Sequence, residues 1–346
     1  MTPRPRLLNE TGTAWFNARV TEDGSRLNPA LIETFHDLLL RSLDSTRSRH
    51  FRYGLGDTVC RRCGERGFVL AAIDSVSVVV DDDVTGFVWS VPDVAVVARL
   101  IAVVLLGQAQ HAARIIAALE PAAPAFLHAV LIADAKRQMV IRGDDEQARQ
   151  AHRAHRDGFL FECMSWIAAR QDAVDRTFLK DPHIDATSHG LDGLIVELHP
   201  TDPVIQRATI CEDKCTGRPR RLFRQQVMTT FAEHHSNKRA RDLVANAAAI
   251  IRETGLDGTE AIVAAAAVLE ARVRSYRAAL TTTVLTQARR ARLFSGYVDL
   301  DGITQAQRIG AMFEIEGDLR DWFQTLADEV LASLDELDAE LDAAGV

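Results

Sequence analysis

Two acidic residues and a lysine in the middle of the chain have the types and spacing of a metal-assisted hydrolytic site. Asp192 precedes a short β-branched run, and Glu212 and Lys214 end the next such run. Because side chains alternate along a strand, Glu212 and Lys214 face one side while Asp213 faces the other. Pairing the two runs around the turn at 199–203 places Asp192 beside Glu212, with Cβ atoms about 5 Å apart. The segment therefore predicts two carboxylates and an ammonium group close together on a hairpin.

These groups suit a divalent cation and a phosphate ester. Buried carboxylates are costly to leave unpaired, and Mg²⁺ (or Mn²⁺) held by Asp192, Glu212 and the backbone carbonyl of Asp213 would offset that cost. Lys214 is then placed to orient or deprotonate the attacking water, or to stabilise charge on the phosphoryl oxygens. The expected chemistry is hydrolysis of phosphodiester bonds, and the structural alternative is a surface hairpin with solvated charges.

Lys214 is unusual in an arginine-rich chain. All 40 basic residues are arginines except Lys136, Lys180, Lys214 and Lys238. Only Lys136 and Lys214 follow an acidic residue by two positions, and Lys136 lies in a helical pattern with no aspartate between 104 and 124 to complete the motif. Since a guanidinium does not exchange protons with water, the choice of lysine at position 214 favours a role in proton transfer.

A basic helical segment follows the motif. Starting at Pro219, the apolar residues Phe223, Val227 and Phe231 recur every four positions and predict a helix with one buried stripe. Phosphate neutralisation dominates nucleic-acid affinity, so basic residues off the stripe are candidate substrate contacts; a solvated basic face is the alternative. The predicted nucleic-acid contacts are Arg218, Arg221, Arg224 and Gln225.

This arrangement resembles the PD-(D/E)xK nuclease superfamily, which has the restriction-endonuclease-like fold. The matching residues are Asp192, the Glu212-Asp213-Lys214 segment and the upstream helix carrying Glu162. The resemblance implies that Glu162, Asp192, Glu212 and Lys214 form the catalytic set, that Glu162 assists metal binding, and that the helix after the lysine lies along the nucleic acid. It covers about residues 158–235.

The chain departs from the family pattern in two places. Leu191 stands where the family signature has a proline, and the strand that usually follows the second helix is not evident, so we look for it at Tyr297–Leu300. Within the superfamily the arrangement resembles the nuclease subunits of bacterial antiphage defence systems of the Hachiman type. That resemblance implies an endonuclease acting on DNA, less so on RNA. A noncatalytic nucleic-acid-binding or scaffold subunit of a multi-protein complex is the alternative.

The elements that position these residues predict an α+β fold, a restriction-endonuclease-like core flanked by mainly helical regions. Residues 1–144 are interpreted as an accessory domain, with strands at 68–73, 75–80 and 87–91 and helices from 93 to 139. Residues 145–255 would form the nuclease core. Residues 256–346 would be helical, with one long helix at 259–292 and another at 319–341. Because the first 140 residues carry no recognisable chemistry, a protein partner subunit or a homo-oligomer is expected.

Charge and cysteine usage bound the remaining classes. The formal net charge is −8, but residues 314–346 hold eleven acidic residues and one arginine, so the rest is nearly neutral and compatible with nucleic acid. We consider the hypothesis that this acidic segment competes with nucleic acid for the basic helix. The longest apolar stretch, 91–106, is interrupted by charges, which predicts no membrane association.

Five cysteines without a paired framework predict a cytoplasmic protein. Cys60 and Cys63 form half of a zinc ribbon. Free thiols are favoured because a second Cys-x-x-Cys is lacking. The alternative is a zinc site to which His50 or a partner chain contributes the missing ligands.

Overall fold

A seven-stranded mixed β-sheet organises the part of the chain described by this computed structural model, residues 71–118, 122–183 and 190–344. The strand order is β1-β2-β7-β6-β5-β4-β3. With helices on both faces, this is the α+β fold predicted from the sequence. The strands are β1 (Asp74–Val79), β2 (Thr85–Ser90), β3 (Thr177–Leu179), β4 (Gly193–Leu198), β5 (Ile205–Lys214), β6 (Arg274–Thr282) and β7 (Arg308–Glu314).

Strand directions bring several chain segments to one edge of the sheet. β5, β6, β7 and β2 run parallel to one another, whereas β4 is antiparallel to both β3 and β5, and β1 is antiparallel to β2. β2, β3, β5, β6 and β7 therefore end at the same edge, where β1 and β4 begin. We call it the C-terminal edge.

The helices follow the sequence in ten segments of the described chain. They are α1 (Val94–Leu105), α2 (Ala109–Ala118), α3 (Ala129–Met139), α4 (Glu146–Asp172), α5 (Pro219–Leu222), α6 (Met228–His235), α7 (Ala240–Ile251), α8 (Gly258–Ala265), α9 (Gln287–Leu293) and α10 (Leu319–Ala344). A π-helical turn, Phe223–Val227, joins α5 to α6. No helix among the described residues combines the length and apolar character needed to cross a bilayer.

Each face of the sheet carries its own hydrophobic core. Ala279 and Ala311 pack with residues of α1 to α4 and α10. Their chain neighbours Ala278 and Met312 pack with residues of the π-helical turn and α6 to α8, and with Phe294 and Tyr297. Because successive strand residues point to opposite faces, the two cores lie on opposite sides of the sheet. The central strands are thus buried on both faces.

Several elements agree with the sequence predictions. The turn predicted at 81–86 is observed at 80–84, between the antiparallel strands β1 and β2. The turn predicted at 199–203 is observed at 199–204, between β4 and β5. Phe223, Val227 and Phe231 are fully buried. The predicted strand at 68–73 is described only from residue 71, and residues 71–73 precede β1. Cys60 and Cys63 lie outside the described residues.

Two predictions for the last region are wrong. The expected helix at 259–292 is instead α8, strand β6 and α9, because the Ala- and Arg-rich segment Arg274–Thr282 is a strand buried along its whole length. Tyr297–Leu300 is not a strand, since Tyr297–Asp299 forms a 3₁₀ turn. β6 is the strand that follows the second helix, and it pairs in parallel with β5. All three regions drawn from the sequence contribute strands to the one sheet.

Our competition hypothesis required the acidic segment to lie on the basic helix, and the structure places it elsewhere. Its helix α10 buries Leu326, Val330 and Leu334 in the core shared with α1 and α3. Its acidic residues pair there, since Lys136 Nζ contacts Asp335 and Asp338 at 2.8 and 2.7 Å. The basic helix belongs to the opposite face, so α10 is a packed structural helix.

A buried ionic network fixes α4 against α10. Asp157 is fully buried and accepts hydrogen bonds from the equally buried Arg156, at 2.9 Å from Nη2, and from Arg320 on α10. Arg156 also donates to Gln324 of α10 at 2.9 Å. Two charged side chains can be held without water here because each has several partners.

Asp157→Ala should therefore lower the free energy of unfolding by about 3–5 kcal/mol, because it leaves the Arg156 charge buried and uncompensated. Guanidinium denaturation measures the change. Glu270→Ala is the matched control: it breaks the exposed pair with Arg272 and should cost no more than about 1 kcal/mol. Equal, small losses in both variants would contradict a stabilising role for the network.

Candidate active site

The register of β4 and β5 brings the motif residues together. Gly193 pairs with Cys211 and Glu197 with Arg207, so the residue before β4, Asp192, lies next to Glu212. Gly193 allows close approach at this point, because a Cβ there would lie 3.1 Å from the Cβ of Cys211. The predicted pairing of positions is therefore observed at the C-terminal edge.

Lys214 bridges the two carboxylates. Its Nζ lies 2.6 Å from Asp192 Oδ2 and 2.9 Å from Glu212 Oε2. The backbone N–H of Asp213 also donates to Asp192 Oδ2, at 3.0 Å. Asp192 and Lys214 keep about a fifth of their side-chain surface exposed, whereas Glu212 is buried. The geometry joins the three residues in one cluster that solvent reaches.

The charges of this cluster perturb one another. Burial, and next the negative charge of Asp192, raise the pKa of Glu212 to about 7. Burial alone would lower the pKa of Lys214, but the charges of Glu212 and Asp192 outweigh it, so the pKa is raised above its ordinary value. A lysine held in its charged form is a poor proton acceptor. This favours charge stabilisation and water orientation by Lys214 over deprotonation of water.

Asp213 faces the other side of β5, as the alternation predicts. Its Oδ1 accepts from Ser165 of α4 at 2.8 Å, and Ser165 in turn accepts from Arg277 of β6 at 2.6 Å. The guanidinium of Arg277 also lies 5.5 Å from the ring centre of Trp89. Burial raises the pKa of Asp213 to about 7, although Arg277 opposes the shift. This network fixes Asp213 beneath the cluster.

Glu162 occupies the α4 side of the site. With Asp192 and Asp213 it lines a small cavity of about 10 Å³, enough for about one water molecule. Its carboxylate accepts from the backbone N–H of His183 at 2.9 Å and lies 3.1 Å from His183 Nδ1. Glu212 instead faces the core on the opposite side of the sheet. Asp192 is therefore the carboxylate that lies between Glu162 and Glu212. The role of Glu162 as a further metal ligand stays a prediction.

The donor set fits a hard divalent cation bound by few protein ligands. Within the described ranges, no three His, Cys, Asp or Glu side chains form a group able to hold a metal ion together. Mg²⁺ needs only one or two carboxylates and keeps several waters. Burial, and next the negative charge of Asp192, disfavour the ionised form of Glu212 and raise its pKa, and a bound divalent cation would favour that ionised form. Asp192 and Glu212 are therefore the residues that would hold such an ion.

The predicted nucleic-acid contacts line an open groove on the helical segment that follows Lys214 in the chain. The groove has a volume of about 690 Å³ and is formed by Arg218, Pro219, Arg220, Arg221, Arg224 and Gln225. Arg221 Nε donates to Gln225 Oε1 at 2.9 Å. The four arginines are exposed, and in the described part of the chain none of them pairs with a carboxylate. Their charge is thus available to an anionic ligand.

Some neighbours of the site could not be identified from the sequence. Lys180, at the end of β3, lines the small cavity and lies 3.4 Å from His183 Nε2. Burial lowers its pKa, with Glu162 and Asp192 acting in the opposite direction. The spacing of His183 from other metal-ligating residues matches no zinc site. In the sequence, only the scarcity of lysine draws attention to Lys180. Ser165 and Arg277 have no such signal, because the fold alone brings them to the site.

No protein-family model, curated protein or solved structure matches this chain.

Asp213→Asn should flatten the pH dependence of stability. The folded state retains a proton on Asp213 up to about pH 7, whereas an unfolded aspartate releases it near its ordinary pKa of 3.8. Stability from this group is present at low pH and is lost as pH rises towards 7, at up to about 1.4 kcal/mol per pH unit. Guanidinium denaturation from pH 5 to pH 8 in EDTA measures the slope.

The reduction should be partial, because Glu212 titrates over a similar range. Asp301→Asn, at an exposed aspartate, is the matched control and should leave the slope unchanged. A wild-type slope in Asp213→Asn would mean that Asp213 is already ionised in the folded protein at pH 5.

Proposed function

We propose that this protein is a metal-dependent nuclease that hydrolyses phosphodiester bonds of DNA. The observation that carries the proposal is the contact of Lys214 with both Asp192 and Glu212, at a sheet edge that also holds an arginine-lined groove. Acidic groups that suit a divalent cation stand beside basic groups that suit a polyphosphate.

Each residue of the cluster has a separate task. Asp192 and Glu212 hold Mg²⁺ or Mn²⁺, with Glu162 as an additional acid on the α4 side. When bound, the ion supplies activation of water and neutralisation of phosphate charge. Lys214 stabilises negative charge that develops on the phosphoryl oxygens and orients the attacking water. Arg218, Arg221, Arg224 and Gln225 hold the sugar-phosphate backbone in the groove.

The order of elements supports the resemblance to the PD-(D/E)xK superfamily. Helix α4, the antiparallel strands β3 to β5, the basic helical segment and the parallel strand β6 follow one another around the cluster. A role in bacterial antiphage defence, as in the Hachiman type, belongs to the same proposal. The proposal also includes a cytoplasmic location, which the free thiols of Cys163, Cys211 and Cys215 favour. It includes a partner subunit or a second copy of the chain as well.

One observation favours the noncatalytic alternative, a nucleic-acid-binding or scaffold subunit. Glu162 is bonded to His183 and Glu212 faces the opposite core, so the three acids do not form one ligand group. Binding without cleavage under any divalent cation, unchanged by Asp192→Ala, would establish this alternative.

Purified protein should cleave plasmid or linear DNA in Mg²⁺ or Mn²⁺, and Lys214→Ala should abolish cleavage because the developing charge loses its counter-ion. Gel assays with plasmid, single-stranded DNA and RNA measure the activity. Lys238→Ala is the matched control, since Lys238 is an exposed lysine outside the cluster, and it should retain full activity.

Metal binding provides a readout that does not depend on turnover. Mn²⁺ should raise the melting temperature of the wild-type protein and have a much smaller effect on Asp192→Ala. Cleavage that persists in EDTA, or full activity of Lys214→Ala, would contradict the proposal.

The groove makes its own prediction. Arg221→Ala/Arg224→Ala should weaken binding of a DNA duplex in EDTA and reduce the slope of log affinity against log salt by about 0.9 for each phosphate that is no longer neutralised. Fluorescence anisotropy between about 50 and 200 mM salt measures both quantities. An unchanged slope would show that these arginines do not bind phosphates.

A further inference from the structure

Helix α9 carries basic residues that the site described above does not use. Arg289 and Arg292 are exposed and lie three positions apart, so they project from neighbouring positions on one side of the helix. Neither arginine forms an ion pair with any of the residues described by the structure; Arg292 donates only to the carbonyl of Ala288, at 3.2 Å. Arg290 differs, because it is half-buried and pairs with Glu314 at 3.3 Å.

The strand order places α9 at the same edge as the candidate site. α5 follows β5 and α9 follows β6, and both strands end at the C-terminal edge, where Lys214 also lies. The loop that leads into α5 is bonded to the end of β6, the strand that precedes α9. The backbone N–H of Thr216 donates to Thr281 Oγ1 at 2.7 Å, and the Thr281 hydroxyl donates to the carbonyl of Thr216 at 3.0 Å.

The far ends of the two helical segments are also in contact. Phe294, which ends α9, packs edge to face on Phe223 with ring centres 5.4 Å apart. Gly310 of β7 makes room for Phe294, since a Cβ there would lie 2.6 Å from its ring. α9 is therefore held at a fixed position beside α5, with Arg290 bonded to β7 and the side chains of Arg289 and Arg292 left to solvent.

We propose that Arg289 and Arg292 form a second phosphate-binding site that continues the α5 groove, so that the nucleic-acid backbone crosses both helices at the C-terminal edge. The inference rests on the proposed function for the nature of the ligand. Charge complementarity identifies that ligand as a polyphosphate strand: exposed, unpaired arginines on two adjoining helices match a row of phosphates. Arginine suits this task because its planar guanidinium donates two hydrogen bonds to one phosphate.

The test measures binding of a short fluorescein-labelled DNA duplex in EDTA, which separates affinity from metal binding and cleavage. Arg289→Ala/Arg292→Ala should reduce the slope of log affinity against log salt by about 1.8, which is 0.9 for each of two neutralised phosphates. Affinity at about 0.1 M salt should fall about eightfold for each arginine removed, because 0.1 raised to the power −0.9 is about 8. Thermal unfolding should be unchanged, since both side chains are exposed.

Two further variants complete the comparison. Arg289→Lys/Arg292→Lys should retain the wild-type slope, because counter-ion release depends on charge. Arg114→Ala is the matched control, an exposed arginine of α2, which packs on the opposite face of the sheet, and its affinity should stay within twofold of the wild type.

The outcomes separate the inference from the proposed function. Loss of affinity in both the α9 pair and the Arg221→Ala/Arg224→Ala pair supports it. If only the α5 pair weakens binding while the α9 pair keeps the wild-type slope, the inference fails and the nuclease proposal stands. Loss of the slope in the lysine variant would overturn the charge-based account, and a wild-type protein that binds no DNA would overturn both proposals.

Discussion

The ammonium group of Lys214 is the constraint around which the site is organised. It lies between two carboxylates that would otherwise repel each other at the end of a hairpin. The same strand also holds Asp192 through the backbone N–H of Asp213, whose side chain is fixed on the other face by Ser165. One three-residue segment of β5 therefore places side chains on both faces of the sheet, Asp213 against α4 and Glu212 with Lys214 in the cluster.

The directions of the strands explain how residues far apart in the chain meet. Five strands end at the C-terminal edge, and the segments that follow two of them, β5 and β6, carry exposed arginines. The carboxylates come from the hairpin of β4 and β5, which needs only local pairing. The groove arginines follow β5 directly, whereas the arginines of α9 follow β6, which enters the sheet beside β5 after a connection of about sixty residues through α5 to α8. The position of α9 thus depends on long-range pairing that the hairpin does not need.

Local sequence patterns were enough to predict the elements whose buried residues recur at a regular spacing or that flank a sharp turn. The strands flanking 199–203 could be predicted because β4 alternates buried and half-buried residues, and the helix after Lys214 because its apolar residues recur every four positions. Register then followed from the turn, which is why Asp192 could be placed beside Glu212. These predictions rest on spacing, which a single sequence displays.

β6 could not be predicted for a physical reason. A strand that is buried on both faces has no polar alternation, and alanine and arginine favour helices when they are considered locally. Its arginines are tolerated because Arg274 donates to the carbonyls of His234 and Leu269, and Arg277 to Ser165. Ser165 lies more than a hundred residues before Arg277 in the chain, so the sequence does not show that the two meet. The same limit hid Lys180 and α9, whose relevance comes from the strands they follow.

The opposite edge of the sheet has a practical value. The turns at 80–84 and 199–204 lie there, because β2 and β5 begin at that edge. β5 spans ten residues, so the second turn is about 30 Å from Lys214. A fluorophore or an affinity tag attached at the tip of that hairpin would leave the reactive edge free. The molecule can therefore be anchored to a surface with its arginine-bearing side facing solution.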